Sequence, residues 1–259
     1  MISSNTSLNE LEPSEVLEPS SLQYYEDSLD LIWKELARLN SSLVILDKLF
    51  DFPSDWILGP EKETFLTLVK VSLFENSLLI ISKLTSDTSK DFLTLPRFKN
   101  WLGKQIKEEY RNSFNRSLRE NRFNKAIDAS LEKVKCIRDN FIAHLIVDEN
   151  LRPKIPEDIE ISLREVNTIC KQLNSLFAVL CFGEERLMVP IDYSPIVQHP
   201  VGSDPRSDIE YLLDLIVQDS YLFKMPEESP YWEIEKEHLD PEAINIINKY
   251  RKKFGIPEV

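Results

Sequence analysis

Two side chains that can do chemistry stand six residues apart in the segment from Cys136 to Leu145. Arg138 carries a planar guanidinium, which binds two oxygen atoms of an anion at once and offsets negative charge that develops on them. His144 carries an imidazole, the side chain that gains and loses a proton near neutral pH. These two residues are the candidate catalytic pair.

Helical geometry places the two side chains on opposite borders of an apolar stripe. If residues 126–147 form one helix, Arg138 lies about 60° to one side of Phe141 and His144 about 60° to the other. The residues within about 40° of Phe141 are Val134, Ile137 and Leu145. Because Arg138 and His144 are also about 9 Å apart along the axis, they do not face each other within one helix. The spacing therefore predicts a site completed by a second copy of the chain, with the stripe as the contact.

Taken singly, the same residues have plain structural explanations. His144 alone would be a hydrogen-bonded histidine at the edge of the core, and Arg138 alone would form a surface ion pair, for example with Asp139. Glu75 lies on an apolar helix and is expected to need a partner, for which Arg138 is the candidate. If the pair is functional, Asp139, Asn140 and Glu75 are the candidates for orienting it.

Basic residues concentrate next to this pair. The formal net charge of −13 disfavours a nucleic-acid partner for the protein as a whole. From Arg97 to Arg138, however, twelve basic residues stand against five acidic ones, which leaves +7 in this window and −20 elsewhere. A solvated helical face and a phosphate-binding surface are both open interpretations. The candidate phosphate-contacting residues are Arg119, Arg122, Lys125 and Lys135.

The composition argues against several other classes of protein. The chain has only five glycines and no Walker or G-x-G-x-x-G sequence, so phosphate-loop nucleotide chemistry has no support. The three cysteines lie in apolar helical contexts and are predicted to be reduced core thiols. No metal site and no cofactor are expected, because no Cys/His pair has zinc spacing. The polar N-terminus and the charges that interrupt the apolar stretches predict a cytoplasmic protein without membrane contact.

Apolar periodicity predicts an all-α fold around the candidate pair. Long helices are expected over 22–50 and 62–85, and the second is apolar on most of its circumference, which predicts burial. Further along, the pattern predicts a loop over 51–60, a short helix over 95–102, helices over 104–147 with a break near 112–121, and a helix opened by the Ser162–Glu165 capping box. The predicted organisation is a disordered leader over 1–20, a helical bundle over 21–185, and a Pro-rich loop with a C-terminal helical extension over 186–259.

The string from Arg138 to His144, Arg-Asp-Asn-Phe-Ile-Ala-His, resembles the Arg-x(4–6)-His signature of HEPN ribonucleases. The helix end Lys-Leu-Thr-Ser-Asp at 83–87 is similar to that of the AbiU-like branch, which is tied to abortive phage infection. The resemblance covers Leu22 to Phe182. It implies a bundle of four or five helices that dimerises and, when active, cuts RNA without a metal.

In the reaction that this resemblance implies, His144 would act as base or acid, and Arg138 would hold the phosphate. One histidine per chain gives two at a symmetric dimer interface, which allows one base and one acid. The expected partners are RNA, a second copy of the chain, and a protein or antitoxin. Two alternatives stay open: a catalytically silent HEPN-like scaffold that binds nucleotide, RNA or protein, and a helical interaction module whose motif is a coincidence.

Overall fold

A computed structural model describes residues 8–58, 64–85, 93–123, 128–139, 161–183, 196–197 and 206–259. The helices in these ranges are α1 (Pro13–Val16), α2 (Leu22–Asp51), α3 (Ser54–Leu58), α4 (Thr64–Thr85), α5 (Leu95–Gln105), α6 (Glu108–Glu120), α7 (Asp128–Ile137), α8 (Leu163–Leu180), α9 (Asp208–Asp219), α10 (Tyr221–Glu228), α11 (Trp232–His238) and α12 (Pro241–Lys253). One pair of two-residue strands, β1 (Ile196–Val197) and β2 (Arg206–Ser207), is antiparallel. The prediction of an all-α fold is confirmed.

The chain divides into two compact units. The first comprises Met1–Leu43 and Phe74–Tyr193, and the second comprises Val44–Leu73 and Ser194–Val259. The sequence predicted a separate C-terminal extension over 186–259, but this segment does not form a unit of its own. It shares an apolar core with the end of α2, because Leu213, Val217 and Phe223 pack with Leu49 and Phe52.

Helices α2 and α8 build much of the core of the first unit. The side chains of α2 that repeat every three or four residues are buried, namely Leu29, Ile32, Leu36, Leu39 and Leu43. On α8 the buried side chains are Val166, Ile169, Cys170, Leu173, Leu176, Phe177 and Leu180. The predicted boundaries of both helices agree with the structure at their N-termini, where Leu22 begins α2 and the Ser162 capping box begins α8.

A buried polar cluster joins these two helices. The amides of Asn40 and Asn174 exchange hydrogen bonds of 3.2 and 2.9 Å, and the Cys170 thiol donates to Asn40 Oδ1 at 3.2 Å. Burial raises the pKa of the Cys170 thiol to about 12, although its bond with Asn174 acts in the opposite direction. Since a thiol with such a pKa is protonated at neutral pH, Cys170 behaves as the core thiol that the sequence predicted.

The predicted disordered leader is wrong for the residues that the structure describes. Leu8–Glu10 and Pro19–Ser21 form 3₁₀ turns on either side of α1, and Val16 and Leu17 are fully buried. Leu17 forms an antiparallel bridge with Ile106, in which Lys107 N donates to Val16 O at 3.0 Å. Elements this short carry no apolar period, so the sequence pattern could not reveal them.

Helix α4 is not buried all round, contrary to the prediction. Phe65 and Leu68 are 70% and 61% exposed, whereas Ile81 and Leu84 near the C-terminus are buried. By length and hydropathy alone this helix could cross a membrane, since its most apolar 18-residue window has a mean hydropathy of 1.6 and is 28% buried. A core helix of a folded domain meets the same criteria, so this property is weak evidence for a membrane span.

Two local predictions need correction between the long helices. Residues 112–120, where a break was expected, lie within the continuous helix α6, in which Phe114 alone is buried. A single buried ring is enough to orient a helix whose other side chains are mostly polar, and a mostly polar run carries too weak an apolar period to predict a helix. The predicted loop over 51–60 contains the short helix α3.

An ion pair between α7 and α8 makes one contribution to stability depend on pH. Lys133 donates to Glu165 at 2.7 Å, and this bond, with those from Ser162, lowers the pKa of Glu165 from 4.5 to about 2. Because the pKa of Glu165 in the folded protein is below its usual value, the ion pair contributes fully to the free energy of unfolding above pH 4.5. This contribution is lost as the pH falls towards 2.

We expect Glu165→Gln to lower the thermal midpoint at about pH 6 and to have a smaller effect at about pH 3. Glutamine keeps the capping box, so the comparison isolates the charge. Circular dichroism of both proteins over this pH range measures the difference. An effect that is the same at both pH values would contradict the conclusion that the ion pair between Lys133 and Glu165 stabilises the fold.

Candidate active site

Arg138 lies immediately after α7, where the helix widens. The α-helix ends at Ile137, and Arg138 and Asp139 form a π-type turn. Such turns are frequent at functional sites, and they change the angle between successive side chains. The predicted angle between Arg138 and His144 assumed a regular α-helix and stays a prediction. His144 and Asn140 lie outside the described residues.

The guanidinium of Arg138 is held from two sides. Its Nε donates to Asp139 Oδ1 at 2.6 Å, and its Nη2 lies 2.5 Å from the same oxygen. Its Nη1 donates to the Ser82 hydroxyl at 2.5 Å. The Arg138 side chain is 21% exposed, so a fixed cation reaches solvent. The surface ion pair with Asp139 that the sequence suggested is therefore present.

Ser82 on α4 is the contact that sequence reasoning missed. It is only 4% exposed and falls between the buried residues Ile81 and Leu84. A hydroxyl in a core position calls for a hydrogen-bond partner, and that was the available signal. Glu75, the residue expected to pair with Arg138, is exposed. The prediction that Glu75 needs a partner assumed that its carboxylate is buried, and this assumption is wrong.

An ion pair fixes the end of α4 that carries Ser82. Lys83 Nζ lies 2.5 Å from Glu35 Oε1 on α2, and the Glu35 side chain is only 17% exposed. The same carboxylate lies 3.5 Å from the guanidinium of Arg38. Because Lys83 is adjacent to Ser82, this anchor also positions the hydroxyl that contacts Arg138.

The predicted apolar stripe is not a free surface at its N-terminal end. Val134 is 1% exposed in the single chain, so it packs in the protein's own core. Ile137 is half-buried, and Phe141 and Leu145 lie outside the described residues. The interpretation of Val134 as part of a contact between two chains is therefore wrong.

The candidate phosphate-contacting residues fall in different places. Arg119 and Arg122 line one large groove of the first unit. Lys135 is exposed on α7 but does not line this groove, and Lys125 lies outside the described residues. Among the residues that the structure describes, no group of three His, Cys, Asp or Glu side chains could hold a metal ion.

The described residues form an all-α fold in which Arg138 is held by hydrogen bonds at the end of a helix. Residues 27–183 match the family model described as AbiU2, of the HEPN class. This match covers more than half of the chain, which therefore belongs to the HEPN AbiU2 family. The chain has no significant match to a curated protein or to a solved structure. Membership confirms the AbiU-like resemblance and points to a function of the abortive-infection type.

Proposed function

We propose that this protein is a metal-independent endoribonuclease of the HEPN type, which acts in phage defence or in a toxin–antitoxin system in the cytoplasm. The observation that carries the proposal is the Arg138 guanidinium, which Asp139 and Ser82 hold from two sides and which remains partly exposed. A cation fixed in advance costs no reorganisation when negative charge develops on a phosphate. His144 follows six residues later in the chain.

The reaction would be an internal transfer at phosphorus. A histidine takes the proton of a ribose 2′-hydroxyl, and the 2′-oxygen forms a bond to phosphorus. The bond from phosphorus to the 5′-oxygen breaks, and a second acid gives that oxygen a proton. The products are a 2′,3′-cyclic phosphate and a 5′-hydroxyl. Two His144 residues, one from each copy in a homodimer, would supply base and acid, and Arg138 would offset the charge on the phosphate.

The proposal is tested with the full-length protein and total cellular RNA in the presence of a metal chelator. We expect cleavage products with 2′,3′-cyclic phosphate and 5′-hydroxyl ends. Intact RNA at high protein concentration, or products that form only when a divalent metal is added, would overturn the proposal.

The second candidate is a non-catalytic HEPN-like scaffold that binds nucleotide, RNA or a protein partner. The overall charge of −13 favours it, because a protein with this charge repels nucleic acid at long range. The same RNA incubation separates the two functions, since a scaffold leaves the RNA intact whether or not it binds it.

A further inference from the structure

A broad groove lies between α5 and α6 in the first unit. Its volume is about 1420 Å³. The lining residues from α5, the segment after α6, and α8 are Lys99, Asn100, Gly103, Lys104, Arg122, Phe123 and Gln172, and those from α6 are Asn112, Phe114, Asn115, Leu118 and Arg119. Asn112, Asn115 and Arg119 repeat at helical spacing, so they form one face of α6.

The lining is strongly one-sided in charge. It contains four cations, Lys99, Lys104, Arg119 and Arg122, and none of the described residues that line it is acidic. Among these cations, Lys99 Nζ lies 5.3 Å from the centroid of the Phe123 ring. A concave surface with charge of one sign attracts and concentrates anions of the opposite sign.

The remaining lining residues favour a nucleic-acid strand that binds through its sugar-phosphate backbone and not through its bases. Phe114 and Phe123 are each 2% exposed, so they form the floor and offer no open ring faces for base stacking. Side-chain amides from Asn100, Asn112 and Gln172 can donate and accept hydrogen bonds with sugar and base groups. Phosphate contacts with little base selectivity are expected from this combination.

The size of the groove points to a polymer. Pockets for small ligands are about 300–1,000 Å³, which is smaller than this groove. Helix α6 is about 20 Å long, too short for the roughly 16 base pairs that proteins contact on double-stranded RNA. A single strand laid along the helix fits both limits.

Arg122 adds an independent observation. It follows the end of α6 with φ of 49°, in the left-handed region, where glycine is the usual residue after a helix. A non-glycine residue in this conformation is strained, and such strain is concentrated at functional sites. The arginine at this position places a cation among the residues that line the groove.

We infer that this α5–α6 groove binds single-stranded RNA through its phosphates. The identity of the polymer rests on the proposed ribonuclease function, whereas the anionic chemistry rests on the groove itself. The inference therefore specifies single-stranded RNA as the form of RNA that the protein binds. The surface that binds it is formed by residues other than those of the Arg138 site.

The test measures the affinity of the full-length protein for a labelled single-stranded RNA of about 12 nucleotides as a function of salt. Arg138→Ala is the background, so that the probe stays intact. If four phosphates are neutralised, log Kobs against log salt has a slope of about −2.8. The double variant Arg119→Ala/Arg122→Gly should reduce this slope by about 1.4 and weaken binding at least about tenfold at moderate salt. Arg116→Ala, an exposed arginine of α6 outside the lining, is the matched control and should change neither.

A second pair of variants leaves every cation in place. A Cβ added at Gly103 would lie 3.7 Å from the ring of Phe114, an ordinary contact. Gly103→Ala should therefore bind RNA like the parent protein, whereas Gly103→Glu brings a carboxylate among the cations and should weaken binding about tenfold. Arg122→Gly alone should not lower the thermal midpoint, because it relieves the strained backbone, so its loss of affinity cannot be attributed to unfolding.

The outcomes separate the groove from the proposed reaction. Unchanged affinity and slope in the double variant, tighter binding of a 16-base-pair duplex, or no binding of RNA by the parent protein would each overturn the groove assignment. Cleavage by the unmodified protein together with normal binding by the groove variants would uphold the ribonuclease and reject the groove. Binding that depends on the groove without cleavage by the unmodified protein would uphold the groove and reject the ribonuclease.

Discussion

Replacement of Arg138 by alanine should lower the rate of RNA cleavage by about 10²–10³-fold, the usual loss when one fixed donor to a developing oxyanion is removed. Arg138→Lys should recover only part of the rate, because an ammonium keeps the charge but loses the planar fork that Asp139 and Ser82 hold. Single-turnover cleavage of a labelled RNA measures both variants. Arg164→Ala, an exposed arginine on α8, is the matched control and should cleave at the unmodified rate.

His144→Ala should also reduce cleavage, by about 10²–10⁴-fold, the range for loss of a general acid or base. The Ser82→Ala variant distinguishes positioning from folding. It should lower the rate less than Arg138→Ala does, and a substrate analogue should still bind. Cleavage at the unmodified rate by both Arg138→Ala and His144→Ala, with unchanged thermal midpoints, would eliminate this pair as the catalytic site.

The largest expected effect on stability is at Tyr25 on α2, because its side chain contacts the segment that follows α8. Its hydroxyl donates to Leu180 O at 3.1 Å and accepts from Phe182 N at 2.8 Å. Its ring stacks against Phe98 and Phe182, with centroids 5.9 and 5.6 Å away. Tyr25→Ala should cost about 3–5 kcal/mol, because it creates a cavity and leaves two buried backbone groups unpaired. The thermal midpoint should fall by roughly 10 °C.

Tyr25→Phe separates the ring from the hydroxyl. It keeps the packing and should cost about 2 kcal/mol for the two lost hydrogen bonds. Tyr24→Ala is the matched control, since the neighbouring tyrosine is 51% exposed. It should cost about 1 kcal/mol, because the Tyr24 ring lies 4.5 Å from the Trp101 ring, centroid to centroid. Denaturant titration followed by circular dichroism gives the three values. If Tyr24→Ala proved as destabilising as Tyr25→Ala, the described anchor would be wrong.

The sequence predicted the elements whose signals are local. The apolar repeat of α2, the capping box before α8 and the short helix that begins at residue 95 all appear in the structure. Each signal depends on side chains within one or two helical turns, so no tertiary contact has to be known.

The remaining features depend on contacts between distant parts of the chain. The bridge between Leu17 and Ile106 joins segments 89 residues apart, and the bond from Arg138 to Ser82 joins residues 56 apart. The family resemblance identified Arg138, and the spacing suggested its ion pair with Asp139. Only the structure could show that Ser82, and not the exposed Glu75, contacts the guanidinium, since both lie on the same face of α4 two turns apart.

The sharing of α2 and α4 between the two compact units limits how this protein could have been assembled or shortened in evolution. The family match ends at residue 183, yet residues 44–73 within it form a unit with 194–259. A gene fragment that stopped at the end of the match would leave Phe52, Ile57 and Leu66 without Leu213, Val217 and Phe223, with which they share a core. Gain or loss of the C-terminal part would therefore require compensating polar substitutions in α3 and α4 and at the end of α2, so the two regions are expected to evolve together.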